Sequence, residues 1–223
     1  ILSSFTLLSR ELGRNYLETL PASASLQVNN MDAETLTKLR QQKNLAAVDM
    51  RATFKARMTL SSGTTLPVTL FVIPNFKDLR VSRFLPQAGS FDPQPGEVIL
   101  EREALKLIGE NIGDSLVIKT NDGRQSSLTI SGTAHDASLA PAWQEQTVYA
   151  YITPATLQIL SAGTKLDTLK LLVANDEGQV SFDPVLVDTT VAKIANWLKQ
   201  EGKEVKNISI PPAGKHPHQG QMN

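Results

Sequence analysis

Two histidine-containing segments carry the residue types from which catalytic or metal sites are built. His135 directly precedes Asp136, a pairing in which a carboxylate can orient an imidazole base. A hydrolase would also need a nucleophile beside the ring, and the sequence has no Gly-x-Ser-x-Gly motif. A hydrolase that uses His135 and Asp136 is therefore the least favoured interpretation.

His216 and His218 form the second segment. Two imidazoles can begin a metal site, but residues 211–223 contain no Cys, Asp or Glu to complete one. The whole chain lacks cysteine, which excludes thiolate zinc sites, cysteine nucleophiles and disulfides. Glycine-rich phosphate-binding motifs are also absent. We therefore expect no catalytic residue, no cofactor and no metal, which classifies the chain as non-enzymatic.

A basic stripe is the remaining candidate for binding. Arg51, Lys55 and Arg57 fall on one side of an alternating pattern and should share one face of a strand. No aromatic residue accompanies them, as a single-stranded nucleic acid would require. The chain's 22 basic residues also balance its 22 acidic ones, which disfavours nucleic-acid binding. We predict a solvated face or a protein contact there, with Arg51, Lys55 and Arg57 as the candidate partner-contact residues.

Alternation and helix-capping signals define the elements that must position these residues. Apolar and polar residues alternate without a break from Val48 to Leu60, which predicts a long strand with one buried face. Residues 66–73 return as its hairpin partner. Asp32 and the Asp183-Pro184 pair each predict the start of a helix. The buried stripe of the second helix should consist of Val187, Val191, Ile194 and Leu198.

The order of the elements predicts a discontinuous α+β fold. A β-α-β-β pattern covers residues 20–77, and a β-α-β pattern covers residues 164–212. Residues 78–163 differ in composition, with six basic and ten acidic residues and several short strands around Asn121-Asp122-Gly123. The simplest architecture is an α+β sandwich interrupted by a small β-rich lobe. No apolar run reaches the roughly 18 residues that span a bilayer.

Five segments of the inserted region resemble a known family pattern. They are residues 87–92, 96–100, 104–109, 112–116 and 128–136, which carry glycines, a short strand, a Gly-Asp turn and a hairpin. Together they resemble the extracytoplasmic core domain of MacB/FtsX-type ABC transporter permeases. Gly132-Thr133 stands where that family has glycine followed by an aliphatic residue. The resemblance transfers no catalytic residue.

The resemblance implies a porter-like lobe, residues 20–77 and 164–212, split by a sabre-like lobe, residues 78–163. It implies that residues 1–19 extend one removed transmembrane helix and that residues 213–223 lead to another. Leu20 and Pro211 should then lie side by side at the membrane face.

The function implied is the coupling of ATP-driven membrane-helix motion to a substrate or partner at the extracytoplasmic face of the bacterial inner membrane. Implied partners are a cytoplasmic ATPase subunit, a second permease copy, and a periplasmic adaptor or exported substrate. The alternative function is a stand-alone extracytoplasmic protein-binding or adhesion module.

Overall fold

The structure, a computed structural model, describes residues 16–161 and 165–212. Their backbone divides into two units. Unit 1 consists of residues 16–50, 79–83 and 167–212, and unit 2 of the described residues in 51–78 and 84–166. Residues 16–18 are helical. The rest of the predicted first helix, and the predicted linker with His216 and His218, lie outside the described residues.

The chain forms the following strands and helices. The strands are β1 (Ala24–Asn29), β2 (Leu45–Thr59), β3 (Thr65–Val72), β4 (Leu85–Gly89), β5 (Glu97–Glu101), β6 (Ser115–Lys119), β7 (Gln125–His135), β8 (Val148–Ile152), β9 (Thr168–Val173) and β10 (Glu204–Ser209). The helices are α1 (Ala33–Arg40), α2 (Arg102–Ile108), α3 (Ala142–Glu145), α4 (Pro154–Leu160) and α5 (Pro184–Gln200). None of these helices is long and apolar enough to cross a membrane.

Unit 1 is a small sheet with two capped helices. β1 lies between β10 and β9 and is antiparallel to both. The side chains of Ala24, Leu26 and Val28 alternate into the interior and are fully buried. The predicted caps are confirmed: Asp32 accepts a hydrogen bond from the Thr35 amide at 2.7 Å, and Asp183 accepts one from Leu186 at 2.8 Å. The predicted apolar stripe of α5 is buried throughout.

Unit 2 is a mixed sheet with its own core. β2 and β3 form the predicted hairpin, with Thr59 opposite Thr65 at its end. Next come β8, parallel to β3, then β5, β7 and β4, while β6 pairs with both β2 and β7. The core contains fully buried aliphatic residues from these strands, among them Met58, Leu70, Leu100, Ile118 and Ile130. The predicted α+β class is thereby confirmed.

The division into units differs from the predicted lobes at the β2–β3 hairpin and at residues 79–83, which belong to unit 1. The sequence grouped residues 51–77 with residues 20–50, whereas the structure places residues 51–78 in unit 2. β2 has fifteen residues and, at about 3.3 Å per residue, a length of roughly 50 Å. Its first part belongs to unit 1, and its second part pairs with β3 and β6. Because the alternation continues through Met50 and Arg51, the sequence gives no sign of the change.

Two parts of the unit 2 sheet, β4 and the end of β7, form by pairing with each other. β4 contains Pro86 and Gly89, residues that are uncommon inside strands, and its five residues are all exposed. β7 continues past Ser131 to His135 because β4 pairs with its last residues, Leu85 opposite His135 and Gly89 opposite Gly132. His135 is therefore the end of a strand and not a loop residue.

Candidate functional site

The first and last described segments of unit 1 line one cleft. We call residues 16–23 the leading segment and residues 210–212 the trailing segment. Both contribute to a cleft of about 310 Å³, together with residues around the start of α5. The lining is mainly apolar and comprises Tyr16, Pro21, Ala22, Ser23, Phe182, Pro184, Val187, Asp188, Ile210, Pro211 and Pro212. Pro21 and Pro211 thus lie at the same cleft, which agrees with the predicted proximity of Leu20 and Pro211.

The leading segment is hydrogen-bonded to the short stretch of residues 79–83. The Ser82 amide donates to the carbonyl of Leu20, and the Arg83 amide donates to that of Thr19, both at 2.7 Å. The Ala22 amide donates to the Ser82 hydroxyl at 3.3 Å. Leu20 and Ser82 have left-handed backbones, with φ of 50° and 47°. Non-glycine residues pay about 1–2 kcal/mol each for that conformation, so the joint is held against backbone strain.

The prediction of a partner-contact face is wrong for one of its three residues, Arg51. Lys55 and Arg57 are exposed, but only 7% of Arg51 is accessible. The positive charge of Arg51 acts on the buried phenol of Tyr151, where it favours the ionised form. The three residues share one side of β2, but that side is covered at Arg51 and open from Lys55 onward. The partner-contact face at Lys55 and Arg57 stays a prediction.

His135 and Asp136 belong to a polar cluster inside unit 2 but do not pair with each other. Asp136 accepts a hydrogen bond from the Tyr151 hydroxyl at 2.8 Å. Its other oxygen accepts from the Ser138 amide at 2.9 Å and hydroxyl at 2.6 Å. The Nδ1 atom of His135 is buried, has no hydrogen-bond partner among the residues that the structure describes, and lies 3.6 Å from Oε1 of Glu101. The dyad that a hydrolase would need is therefore not formed.

Burial governs the ionisation of this cluster. Burial raises the pKa of the Tyr151 phenol well above its ordinary value, and the neighbouring Asp136 carboxylate raises it further. Burial also raises the pKa of Glu101, which the Glu103 amide and His135 partly oppose. Glu101 caps α2 by accepting from that amide at 2.7 Å. The sequence contains a signal for this capping role, because Glu101 directly follows the apolar run Val98–Leu100 and directly precedes a helix.

The raised pKa of Glu101 predicts a pH dependence of stability. The folded state holds the Glu101 proton more tightly than the unfolded chain, so this contribution is complete below pH 4.5 and is lost as the pH rises through the folded pKa. We expect Glu101→Gln, which keeps a capping oxygen, to gain stability relative to the wild type as pH rises from 4.5 to 8. Urea unfolding at several pH values measures this difference, with the exposed Glu177→Gln as control. Parallel stability curves for wild type and Glu101→Gln would contradict the prediction.

No cluster suited to a metal occurs in the described part of the chain. Within residues 16–161 and 165–212, no group of three or more His, Asp or Glu side chains converges.

The similarity of this chain to known proteins lies in its three-dimensional structure. No family model matches the sequence, and no curated protein is similar to it. The periplasmic region of MacB from Actinobacillus actinomycetemcomitans superimposes with a TM-score of 0.53 at 13% identity, covering 87% of this chain and 93% of that one. The chain has the fold of the MacB periplasmic domain.

A second solved structure shares the MacB-type periplasmic fold. It is the extracellular domain of the noncanonic ABC-type transporter YknZ from Gram-positive bacteria, with a TM-score of 0.51 and 15% identity. The match covers 82% of this chain and all of that domain. The resemblance drawn from the sequence is confirmed at the level of the fold. The first of these solved structures is a periplasmic region, and the second is the extracellular domain of an ABC-type transporter.

Proposed function

We propose that this chain is the extracytoplasmic domain of an ABC transporter permease and couples ATP-driven motion of membrane helices to a substrate or partner outside the membrane. The MacB-type fold supports the placement in such a transporter. The observation that carries the coupling is the shared cleft of the leading and trailing segments. Two adjoining connections allow a force applied through one segment to tilt unit 1 about the other.

The two segments differ in how firmly they are attached. The leading segment begins in a helical turn and makes the three hydrogen bonds to residues 82–83 described above. Phe84, the next residue, belongs to unit 2, so a displaced leading segment pulls directly on the chain that enters that unit. The trailing segment ends in Pro211-Pro212, two residues without amide donors. The leading segment is therefore the lever, and the trailing segment is the tether.

The remaining parts of the proposal follow from membership in such a transporter. The partners would be a cytoplasmic ATPase subunit that acts through the membrane region, a second permease copy, and a periplasmic adaptor or exported substrate. The location would be the extracytoplasmic face of the bacterial inner membrane. The chain itself would need no cofactor.

A pair of matched insertions tests the lever. Gly-Ser-Gly is inserted immediately before Tyr16 or, as control, immediately after Pro212 in the full transporter. The first insertion lies outside the described contacts and interrupts the helix that the sequence predicts before Tyr16. We expect it to reduce transport about 5- to 150-fold, which is the effect that typical coupling free energies between two sites produce, while ATP hydrolysis continues. The insertion after Pro212 should leave transport nearly unchanged.

Two results would count against this proposal. Equal transport by both insertion variants would show that the leading segment is not a lever. A gene whose flanking sequences encode no apolar segments of about 20 residues would instead favour the stand-alone binding or adhesion module. The thermal unfolding midpoint of each variant domain controls for loss of folding.

A further inference from the structure

A polar groove on unit 2 carries positive charge. β2 and β6 are antiparallel there, and Arg57 lies directly opposite Lys119. Both side chains are exposed and line a groove of about 540 Å³. The walls add the hydroxyl groups of Thr59 and Thr65 and the amide side chains of Asn121 and Gln125. We call this feature the basic groove.

The described residues supply no counter-charge to the basic groove. No carboxylate belongs to its lining. Asp122, in the adjoining turn, accepts from Nε of Arg124 at 2.8 Å and from the Thr120 hydroxyl, and these bonds lower the pKa of the Asp122 carboxyl. Within residues 16–161 and 165–212, neither Arg57 nor Lys119 has an ion-pair partner.

The proximity of the positive charges of Arg57 and Lys119 destabilises the folded state. Like charges directly opposite each other on neighbouring strands destabilise a sheet. The inserted region around them, residues 78–163, has an excess of acidic residues that could have supplied a counter-charge. A bound anion would remove the repulsion between Arg57 and Lys119.

We propose that the basic groove binds an acidic segment of a protein partner. Arg57 and Lys119 would take its carboxylates. Threonine hydroxyls and Asn and Gln amides both donate and accept hydrogen bonds, which suits a peptide main chain. A membrane surface is less well matched, because attraction to anionic lipid uses clusters of about four to eight basic residues. This site lies in unit 2 and does not depend on coupling through the leading segment.

Binding of a defined peptide tests the proposal. A fluorescent ten-residue glutamate peptide is titrated with the 223-residue chain at low ionic strength, with a glutamine peptide as reference. We expect Arg57→Gln and Lys119→Gln each to weaken binding of the glutamate peptide about fivefold or more. Lys199→Gln removes one exposed positive charge from α5 in unit 1, outside the groove, and is the charge-matched control; it should change binding less than about twofold.

A stability measurement supplies an independent readout. Without peptide, Lys119→Gln should raise the thermal unfolding midpoint, because it removes the cross-strand repulsion. With the glutamate peptide, the midpoint of the wild type should rise, and that of Lys119→Gln should rise less at the same peptide concentration. The proposal is overturned if the wild type does not bind the peptide, if Lys199→Gln weakens binding as much as Arg57→Gln, or if phosphatidylserine vesicles bind and the peptide does not.

Discussion

Gly132→Ala is expected to destabilise unit 2 by about 3 kcal/mol or more. Gly132 lies in β7 between β4 and β5, opposite Gly89 on one side and Ile99 on the other. A Cβ atom there would lie 2.5 Å from the Ser90 carbonyl oxygen and 2.7 Å from that of Ala88. Both are backbone atoms of the paired strand region and cannot rotate away. Alanine would therefore force β4 away from β7.

The control for Gly132→Ala is a glycine with open space around it. Gly123 has a φ of 87° and nothing within 4 Å of an added Cβ, so Gly123→Ala should cost only the backbone strain of about 1–2 kcal/mol. Urea unfolding compares the two variants. Hydrogen exchange at Ser90, whose amide donates to the Ser131 carbonyl at 2.8 Å, locates the damage. An unchanged Ser90 exchange rate, or a cost for Gly132→Ala below that for Gly123→Ala, would refute the close-approach argument.

Tyr151→Ala is expected to cost about 3–5 kcal/mol, since it removes the largest fully buried side chain of unit 2. Only 1% of Tyr151 is accessible. Its ring stacks on Phe84 with centroids 4.0 Å apart and lies 5.6 Å from the ring of Phe71. Its hydroxyl donates to Asp136 at 2.8 Å, and the raised pKa of Tyr151 keeps that proton in place at neutral pH.

Tyr151→Phe measures the contribution of the hydroxyl group to stability separately from that of the ring. We expect a loss of about 1–3 kcal/mol, because the Asp136 carboxylate loses a partner in a mostly buried setting. Tyr149→Phe is the matched control: its ring also stacks on Phe71, at 6.1 Å, but its hydroxyl bonds the exposed Glu145. That substitution should cost less than about 1 kcal/mol. Equal losses for Tyr149→Phe and Tyr151→Phe in urea unfolding would show that the bond to Asp136 adds nothing.

These predictions give His135 and Asp136 a structural role. Asp136 joins the end of β7 to Tyr151 in β8, and His135 faces the capping carboxylate Glu101. The polar cluster lies between β5, β7 and β8 and joins these three strands, which the proposed coupling would require to stay together under load. The cluster thus complements the coupling function proposed for unit 1.

The sequence by itself determined the elements whose signals are local. The alternation along β2, the helix caps at Asp32 and Asp183, and the apolar stripe of α5 appear in the structure as predicted. Each depends on residues within a few positions of one another, where backbone geometry fixes which side a residue takes. The glycines and turns of the inserted region also supported the resemblance that the MacB-type fold confirmed.

Only the tertiary structure decided what lies against each face. It buried Arg51 while leaving Arg57 open, and it brought Lys119 opposite Arg57. It also set Gly132 against the backbone of residues 88–90. These contacts join residues more than 40 positions apart in the sequence, through strand pairings that the periodicity of a single strand does not specify. Periodicity assigns a residue to a side of its strand, and the pairing of distant strands determines whether that side meets solvent, charge or backbone.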